Sequence, residues 1–123
     1  MSARIRVLIA DDHQMFIDGI QSLLKDVADI IVVAEALNGL KALSQLAATH
    51  IDVALLDINM PELNGLETCR DIVSRYPEVK VLMLTMHNRA NYIRQFIDLG
   101  AKGYILKNTG KAELLQAIRT VHQ

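Results

Sequence analysis

Short apolar runs alternate along this chain with longer stretches in which apolar residues recur at helical spacing. The runs are rich in Val, Ile and Leu and predict strands, whereas the longer stretches predict helices. Strands are predicted at residues 5–10, 30–36, 51–56, 79–84 and 103–106, and helices at 14–27, 39–48, 65–75, 89–99 and 110–122. Five βα units with right-handed crossovers predict one doubly wound α/β domain, a five-stranded parallel sheet with helices on both faces.

The helical stretches also predict which side chains reach the core. Strands two and three are continuous apolar runs, so we expect cover on both of their faces. In the fourth helix, we expect Ile93 and Ile97 to pack into the core. The first and last helices carry apolar stripes at i, i+3, i+4 spacing, formed by Phe16, Ile20, Leu23, Leu24 and Val27 and by Leu114, Leu115, Ile118 and Val121.

Composition narrows the class of protein. With 123 residues the chain is expected to form one domain, residues 1–123. The single cysteine, Cys69, cannot form an internal disulfide, which favours a reducing compartment. The N-terminus resembles no signal peptide, and no apolar run approaches the roughly 20 residues that span a bilayer. We therefore expect a cytoplasmic protein with no membrane partner.

Charge is spread unevenly although the net charge is only −1. Residues 1–87 hold seven Lys or Arg against twelve Asp or Glu, a net −5, whereas residues 88–123 hold six against two, a net +4. An asymmetry of this size is typical of an acidic pocket and a separate docking face. Without a basic cluster interleaved with aromatic residues, direct DNA binding by these residues is not expected.

Chemically reactive side chains lie at the predicted carboxyl ends of several strands. Asp11 and Asp12 follow the first strand, Asp57 follows the third, and Lys107 follows the fifth. Thr85 ends the fourth run. Ligands of open parallel sheets bind outside these strand ends, so the five side chains are expected to share one pocket. Carboxylates beside an amine and a hydroxyl suit a small hard cation and a phosphoryl group.

Four segments together resemble the receiver domain of bacterial response regulators. The resemblance covers essentially the whole chain, and it implies sheet order 2-1-3-4-5. The chain is most similar to the nitrate- and quorum-type subfamily, in which the receiver precedes a helix-turn-helix DNA-binding domain. This implies the N-terminal fragment of a longer DNA-binding regulator. The segments are IRVLIADDHQMF, VALLDINMPELNG, VLMLTMH and GAKGYILK.

The resemblance also assigns roles at the pocket. It makes Asp57 the phosphoacceptor, a carboxylate nucleophile that forms an acyl phosphate. Mg²⁺, with Mn²⁺ as an alternative, is held by Asp12 directly, by Asp11 beside it or through water, by Asp57, and by the backbone carbonyl of Asn59. Lys107 becomes the counter-ion of the aspartate and later of the phosphoryl oxygens.

A switch is implied by the same resemblance. The hydroxyl of Thr85 hydrogen-bonds a phosphoryl oxygen and moves toward the site, and Tyr104 rotates inward to fill the vacated space. The surface of helix four, strand five and helix five changes as a result. Asn59 and His87 flank the approach of hydrolytic water, and Met86 adds a steric obstacle, so these three are expected to tune the phosphoryl lifetime.

The predicted function is a two-component switch that accepts a phosphoryl group from a sensor histidine kinase or a phosphotransfer protein. It assists its own phosphorylation and dephosphorylation, and is not expected to be an enzyme with a separate substrate. Phosphorylation is expected to favour a homodimer, and DNA is expected to be contacted only through a domain outside this chain. A free-standing receiver is one alternative. A haloacid-dehalogenase-like phosphatase is the other, although such enzymes carry a second Asp where Asn59 stands.

Overall fold

The computed structural model describes residues 4–58, 60, 64–86 and 90–123, and within residues 90–92 it describes the backbone only. All ten predicted elements are present. The first helix ends three residues earlier than predicted, and the third and fourth strands each end one residue later. In chain order the elements are β1 (Ile5–Ala10), α1 (Gln14–Leu24), β2 (Ile30–Ala36), α2 (Gly39–Ala48), β3 (Val53–Asp57), α3 (Gly65–Arg75), β4 (Lys80–Thr85), α4 (Ala90–Leu99), β5 (Gly103–Leu106) and α5 (Lys111–His122).

The five strands form one parallel sheet in the order β2-β1-β3-β4-β5, as the family resemblance implied. The strand order reverses at β1: β2 is added on one side of β1, and β3 is added on its other side. This reversal leaves a crevice between the loops that follow β1 and β3, the usual position of a ligand site in such sheets.

The helices cover both faces of the sheet and bury two separate apolar layers. Helices α1 and α5 pack on one face, and α2, α3 and α4 pack on the other. The stripes predicted for the first and last helices are confirmed, with their outer members only partly buried. The buried helical residues are Ile17, Ile20, Leu24, Leu114, Ile118 and Val121 on the first face, and Ala42, Leu46, Cys69, Ile72 and Phe96 on the second.

Two predictions about burial were wrong in part. In α4, Phe96 is fully buried whereas Ile97 is 47% exposed, so the helix turns Phe96 and not Ile97 toward the sheet. Strand β3 is buried throughout, as predicted, but β2 is an edge strand that pairs only with β1. Its Glu35 side chain is therefore exposed, and its middle residues are only partly covered.

The turn after α4 depends on a glycine. Gly100 has φ of 109°, a conformation that other residues adopt only with strain, and its amide donates a hydrogen bond to the carbonyl of Ile97. This conformation ends α4 and directs the chain into β5, whose last residue precedes Lys107. Among the described helices, none has both the length and the apolar character needed to cross a membrane.

Candidate functional site

The carboxyl ends of β1, β3 and β5 bring three predicted site residues into contact. Asp57 is the last residue of β3, Asp11 directly follows β1, and Lys107 directly follows β5. The Lys107 ammonium lies 2.6 Å from Asp11 Oδ2 and 3.2 Å from Asp57 Oδ1. These distances confirm the prediction that acidic and basic groups from separate strands converge at one edge of the sheet.

Lys107 is held between the two carboxylates in a largely buried position. Its side chain is 10% exposed, and its ammonium lies 4.7 Å from the centre of the Phe16 ring, within cation–π range. Burial acts to lower the pKa of Lys107, but the hydrogen bond to Asp11 and the charges of Asp57 and Asp11 outweigh it, so the net pKa is raised. The lysine is therefore charged at neutral pH and offsets part of the negative charge of the pocket.

Asp11 is the most deeply buried acid of this group, with a side chain that is 0% exposed. Its Oδ1 accepts a hydrogen bond of 2.8 Å from the backbone amide of His13. Its Oδ2 contacts the Lys107 ammonium and accepts no hydrogen bond from any other donor in the described residues. A buried carboxylate oxygen that is compensated by an ammonium group shows that this end of the pocket is built around positive charge.

Asp12 lies nearer the rim, with a side chain that is 32% exposed, and it meets His13 there. Asp11, Asp12, His13 and Asp57 each offer one ligand atom, and all four atoms lie within 4.8 Å of one another. Three carboxylates are the oxygen donors that Mg²⁺ prefers, so this set fits the predicted ion. His13 was not among the predicted site residues, although it is the third residue of the DDH segment and two positions after Asp11.

The chain after Asp57 turns closely enough to require glycine at position 65. The amide of Ile58 donates to the carbonyl of Leu84, and the amide of Gly65 donates to the carbonyl of Ile58. A Cβ on Gly65 would lie 2.3 Å from the backbone oxygen of Asp57. This packing holds the phosphoacceptor candidate against the start of α3. Asn59, the predicted carbonyl ligand, lies outside the described residues.

Thr85 and Tyr104, the predicted switch pair, share one face of the sheet. Tyr104 is the register partner of Met83, and Thr85 lies two residues beyond Met83, so the strand pleat places Thr85 and Tyr104 on the same side. Thr85 is buried, whereas Tyr104 is 38% exposed, which is an outward position. Met86 is exposed at the end of β4. His87, the other predicted lifetime residue, lies outside the described part of the chain.

A family model described as the response regulator receiver domain matches residues 7–119. This chain belongs to the response regulator receiver family. The match favours the receiver interpretation over the phosphatase alternative. It also agrees with the sheet order and with the acidic pocket at the strand ends.

Individual relatives indicate the subfamily. The chain is 39% identical over 120 residues to the transcriptional regulatory protein DegU of Brevibacillus brevis, covering 98% of this chain and 51% of that protein. It is 37% identical over 118 residues to the response regulator UvrY of Escherichia coli K12, covering 96% and 54%. The receiver domain of the putative regulator NarL from Mycobacterium tuberculosis superimposes with a TM-score of 0.93, at 30% identity and 98% coverage of both chains.

These relatives confirm the resemblance to the nitrate- and quorum-type receivers. The chain spans about half the length of the curated relatives it matches, and those relatives are named as response or transcriptional regulators.

Proposed function

We propose that this receiver is a phosphorylation-dependent switch that accepts a phosphoryl group on Asp57. The observation that carries the proposal is the contact of Asp57 with Lys107, beside the buried Asp11, at the strand ends of a receiver-family chain. The donor is a sensor histidine kinase or a phosphotransfer protein. A carboxylate oxygen of Asp57 forms a bond to phosphorus, and the phosphorus–nitrogen bond of the donor phosphohistidine breaks, returning a neutral imidazole once it is protonated.

The residues around Asp57 favour this transfer electrostatically. Asp11, Asp12 and Asp57 would hold Mg²⁺ or Mn²⁺, together with the Asn59 backbone carbonyl. A bound Mg²⁺ neutralises charge on the carboxylates and on the phosphoryl oxygens. Lys107 is already positioned by two carboxylates, so its ammonium can turn from Asp57 to a phosphoryl oxygen without a large movement. There it would donate a charge-assisted hydrogen bond.

The signal leaves the site through Thr85 and Tyr104. Thr85 donates its hydroxyl to a phosphoryl oxygen, and the exposed Tyr104 ring turns inward on the same face of the sheet. The surface formed by α4, β5 and α5 then differs between the two states. This surface favours a homodimer and controls output, which we propose is transcription through a DNA-binding domain outside this chain. Such a role places the protein in the cytoplasm, as a phosphoacceptor that assists its own reactions.

The phosphoryl lifetime is set by the side chains that flank the approach of water to Asp57. Asn59 and His87 occupy the flanking positions in the sequence, and Met86 stands beside His87 with an exposed thioether. A side chain that obstructs water needs to raise the barrier by only about 1.4 kcal/mol to slow hydrolysis tenfold.

The proposal is tested by measuring intact mass after incubation with acetyl phosphate and Mg²⁺. We expect one phosphoryl adduct on the wild-type protein, and none on Asp57→Asn or in the presence of EDTA. Asp18→Asn, which removes an exposed carboxylate on α1, is the matched control and should form the adduct normally. An adduct that persists as the principal product on Asp57→Asn would show that another residue is the phosphoacceptor.

A further inference from the structure

The imidazole of His13 faces the acidic pocket. Its Nδ1 atom lies 3.0 Å from Asp12 Oδ1 and 3.2 Å from Asp11 Oδ1. His13 is also the N-cap residue of α1, but its side chain makes no capping hydrogen bond. The ring is 71% exposed, so it can turn at the rim without disturbing the core. The pocket therefore has a nitrogen donor beside its carboxylates.

The spacing of these atoms suits two neighbouring ligands of one small cation. Ligands at about 2.1 Å from an octahedral ion lie about 3.0 Å apart when adjacent and about 4.2 Å apart when opposite. The distances from His13 Nδ1 to the Asp12 and Asp11 oxygens match the spacing of adjacent ligands. The ligand atoms of all four residues lie within 4.8 Å of one another, which also leaves room for opposite ligands. Asp11 Oδ2, a further carboxylate oxygen of the same pocket, is fully buried and is paired with the Lys107 ammonium.

A nitrogen donor changes which ions such a pocket prefers. Mg²⁺ binds oxygen ligands and retains several waters, so an imidazole contributes little to its affinity. First-row transition ions bind imidazole well, and their affinity at mixed nitrogen and oxygen sites rises from Mn²⁺ through Co²⁺ and Ni²⁺. A receiver pocket with oxygen ligands only would lack this gain.

We propose that His13 is a metal-selecting residue, whose imidazole nitrogen ligates a first-row transition dication in the pocket formed by Asp11, Asp12 and Asp57. The inference rests on the proposed function, because it assumes that these carboxylates hold the divalent ion of the phosphorylation site. It adds a ligand that raises affinity for ions such as Co²⁺ and leaves affinity for Mg²⁺ almost unchanged. The metal loaded on the receiver then depends on the transition-metal supply as well as on Mg²⁺.

Titration calorimetry with Co²⁺ alone and with Mg²⁺ alone tests the inference on the whole chain. His13→Ala should weaken Co²⁺ binding at least about tenfold, the scale seen when groups at a metal site are removed, and should leave Mg²⁺ affinity unchanged. His50→Ala is the matched control, because His50 is similarly exposed, at 68%, and pairs with Asp52 instead of the pocket. It should leave Co²⁺ affinity at the pocket unchanged.

A spectroscopic measurement distinguishes direct ligation from a structural effect. Proton NMR of the Co²⁺-bound protein should show strongly shifted imidazole resonances that are present in wild type and in His50→Ala, and absent in His13→Ala. If His13→Ala is poorly folded, His13→Asn supplies the same test, because Asn is well accepted at a helix N-cap. Asn also offers an oxygen and no ring nitrogen.

The outcomes separate this inference from the proposed function. Unchanged Co²⁺ affinity in His13→Ala would overturn the inference and leave phosphorylation of Asp57 intact. An equal loss of Co²⁺ and Mg²⁺ affinity would also overturn it, because His13 would then act only by holding Asp11 and Asp12. If neither ion bound to wild type and no phosphoryl adduct formed, the proposed function itself would fail.

Discussion

Replacing Lys107 with Ala should destabilise the metal-free protein strongly. The substitution removes the ammonium that lies between Asp11 and Asp57 and leaves two buried carboxylates facing each other, since their side chains are only 0% and 7% exposed. Their like charges repel, and neither side chain has much contact with solvent. We therefore expect a lower free energy of unfolding, caused mainly by the unpaired carboxylates and in smaller part by loss of the contact with the Phe16 ring.

The magnitude follows from the two distances. At an effective dielectric constant of about 20, opposite charges at 2.6 Å and 3.2 Å attract by about 6 and about 5 kcal/mol before desolvation is counted. The cost of desolvating three charges cancels much of this. Removal of one partner from a buried ion pair nevertheless costs about 3–5 kcal/mol, because the remaining charge stays buried without compensation. A loss of that size is a large part of the stability of an ordinary domain.

Magnesium should reverse much of the loss. An ion in the pocket supplies the positive charge that Lys107 provided, and in the variant it no longer competes with an ammonium, so Mg²⁺ affinity should be unchanged or higher. At a free concentration 100 times the dissociation constant, binding adds about 2.7 kcal/mol to stability. The stabilisation by Mg²⁺ should therefore be at least as large in Lys107→Ala as in wild type.

The measurement is urea unfolding followed by circular dichroism, in EDTA and in Mg²⁺, at neutral pH. The pKa of Lys107 is raised, so its contribution is fully present below its unfolded pKa and is lost only as the pH rises through the folded value. Neutral pH lies well inside the stable window. Lys41→Ala, which removes an exposed lysine on α2, controls for the loss of a positive charge elsewhere.

A double-mutant cycle with Asp57→Asn isolates the charge interaction. In the Asp57→Asn background one buried carboxylate has lost its charge, so Lys107→Ala should cost less than in wild type, by about 0.5–3 kcal/mol. Unfolding of Lys107→Ala in EDTA at the same urea concentration as Lys41→Ala would refute a stabilising charge interaction at Lys107. Markedly weaker Mg²⁺ binding by the folded variant would contradict the proposed role of the lysine.

Two further predictions concern the third helix. Gly65→Ala should destabilise the protein by roughly 1–3 kcal/mol and slow phosphorylation, because the new Cβ would displace the Asp57 backbone. Urea unfolding and the rate of adduct formation measure the two effects. Gly19→Ala is the control, because a Cβ at Gly19 meets nothing within 4 Å. Burial raises the pKa of Cys69 to about 11 from 9.0. The stability contributed by the protonated thiol should therefore be lost as the pH rises from 9.0 to about 11. Unfolding measured over this pH range should show the loss in wild type and not in Cys69→Ala.

The order of elements could be predicted because the two apolar periodicities are well separated along this chain. Their exact limits could not, because strand pairing continues one residue beyond the apolar run wherever a polar side chain still fits the ladder, as Asp57 and Thr85 do. The residue of α4 that packs against the sheet could not be predicted either. Its apolar arc is broad, and only packing against the sheet decides that Phe96 is buried and Ile97 exposed.

The convergence of Asp11, Asp57 and Lys107 could be predicted from strand ends alone, because parallel strands bring those ends together. The orientation of neighbouring side chains could not. The family resemblance gave Asp11 and Asp12 different roles, but the letters of the DDH segment do not show that Asp11 is the buried acid, or that His13 turns back toward both carboxylates. Those directions are set where β1 ends and α1 begins, by hydrogen bonds from the Asp11 amide to Ala36 and from the His13 amide to Asp11.

The same turn explains how two adjacent acids can have different tasks. Asp11 is the inner acid, fully buried against Lys107, and its charge is therefore tied to the fold. Asp12 is the outer acid, partly exposed beside His13, and its charge is available to an ion arriving from solvent. A cation entering the pocket from solvent meets the exposed Asp12 and His13 before it meets the buried Asp11 and Lys107. Substitution of Asp12 should consequently change ion binding more than stability, and substitution of His13 should do the same for transition ions. Substitutions at Asp11 and Lys107 should change stability strongly.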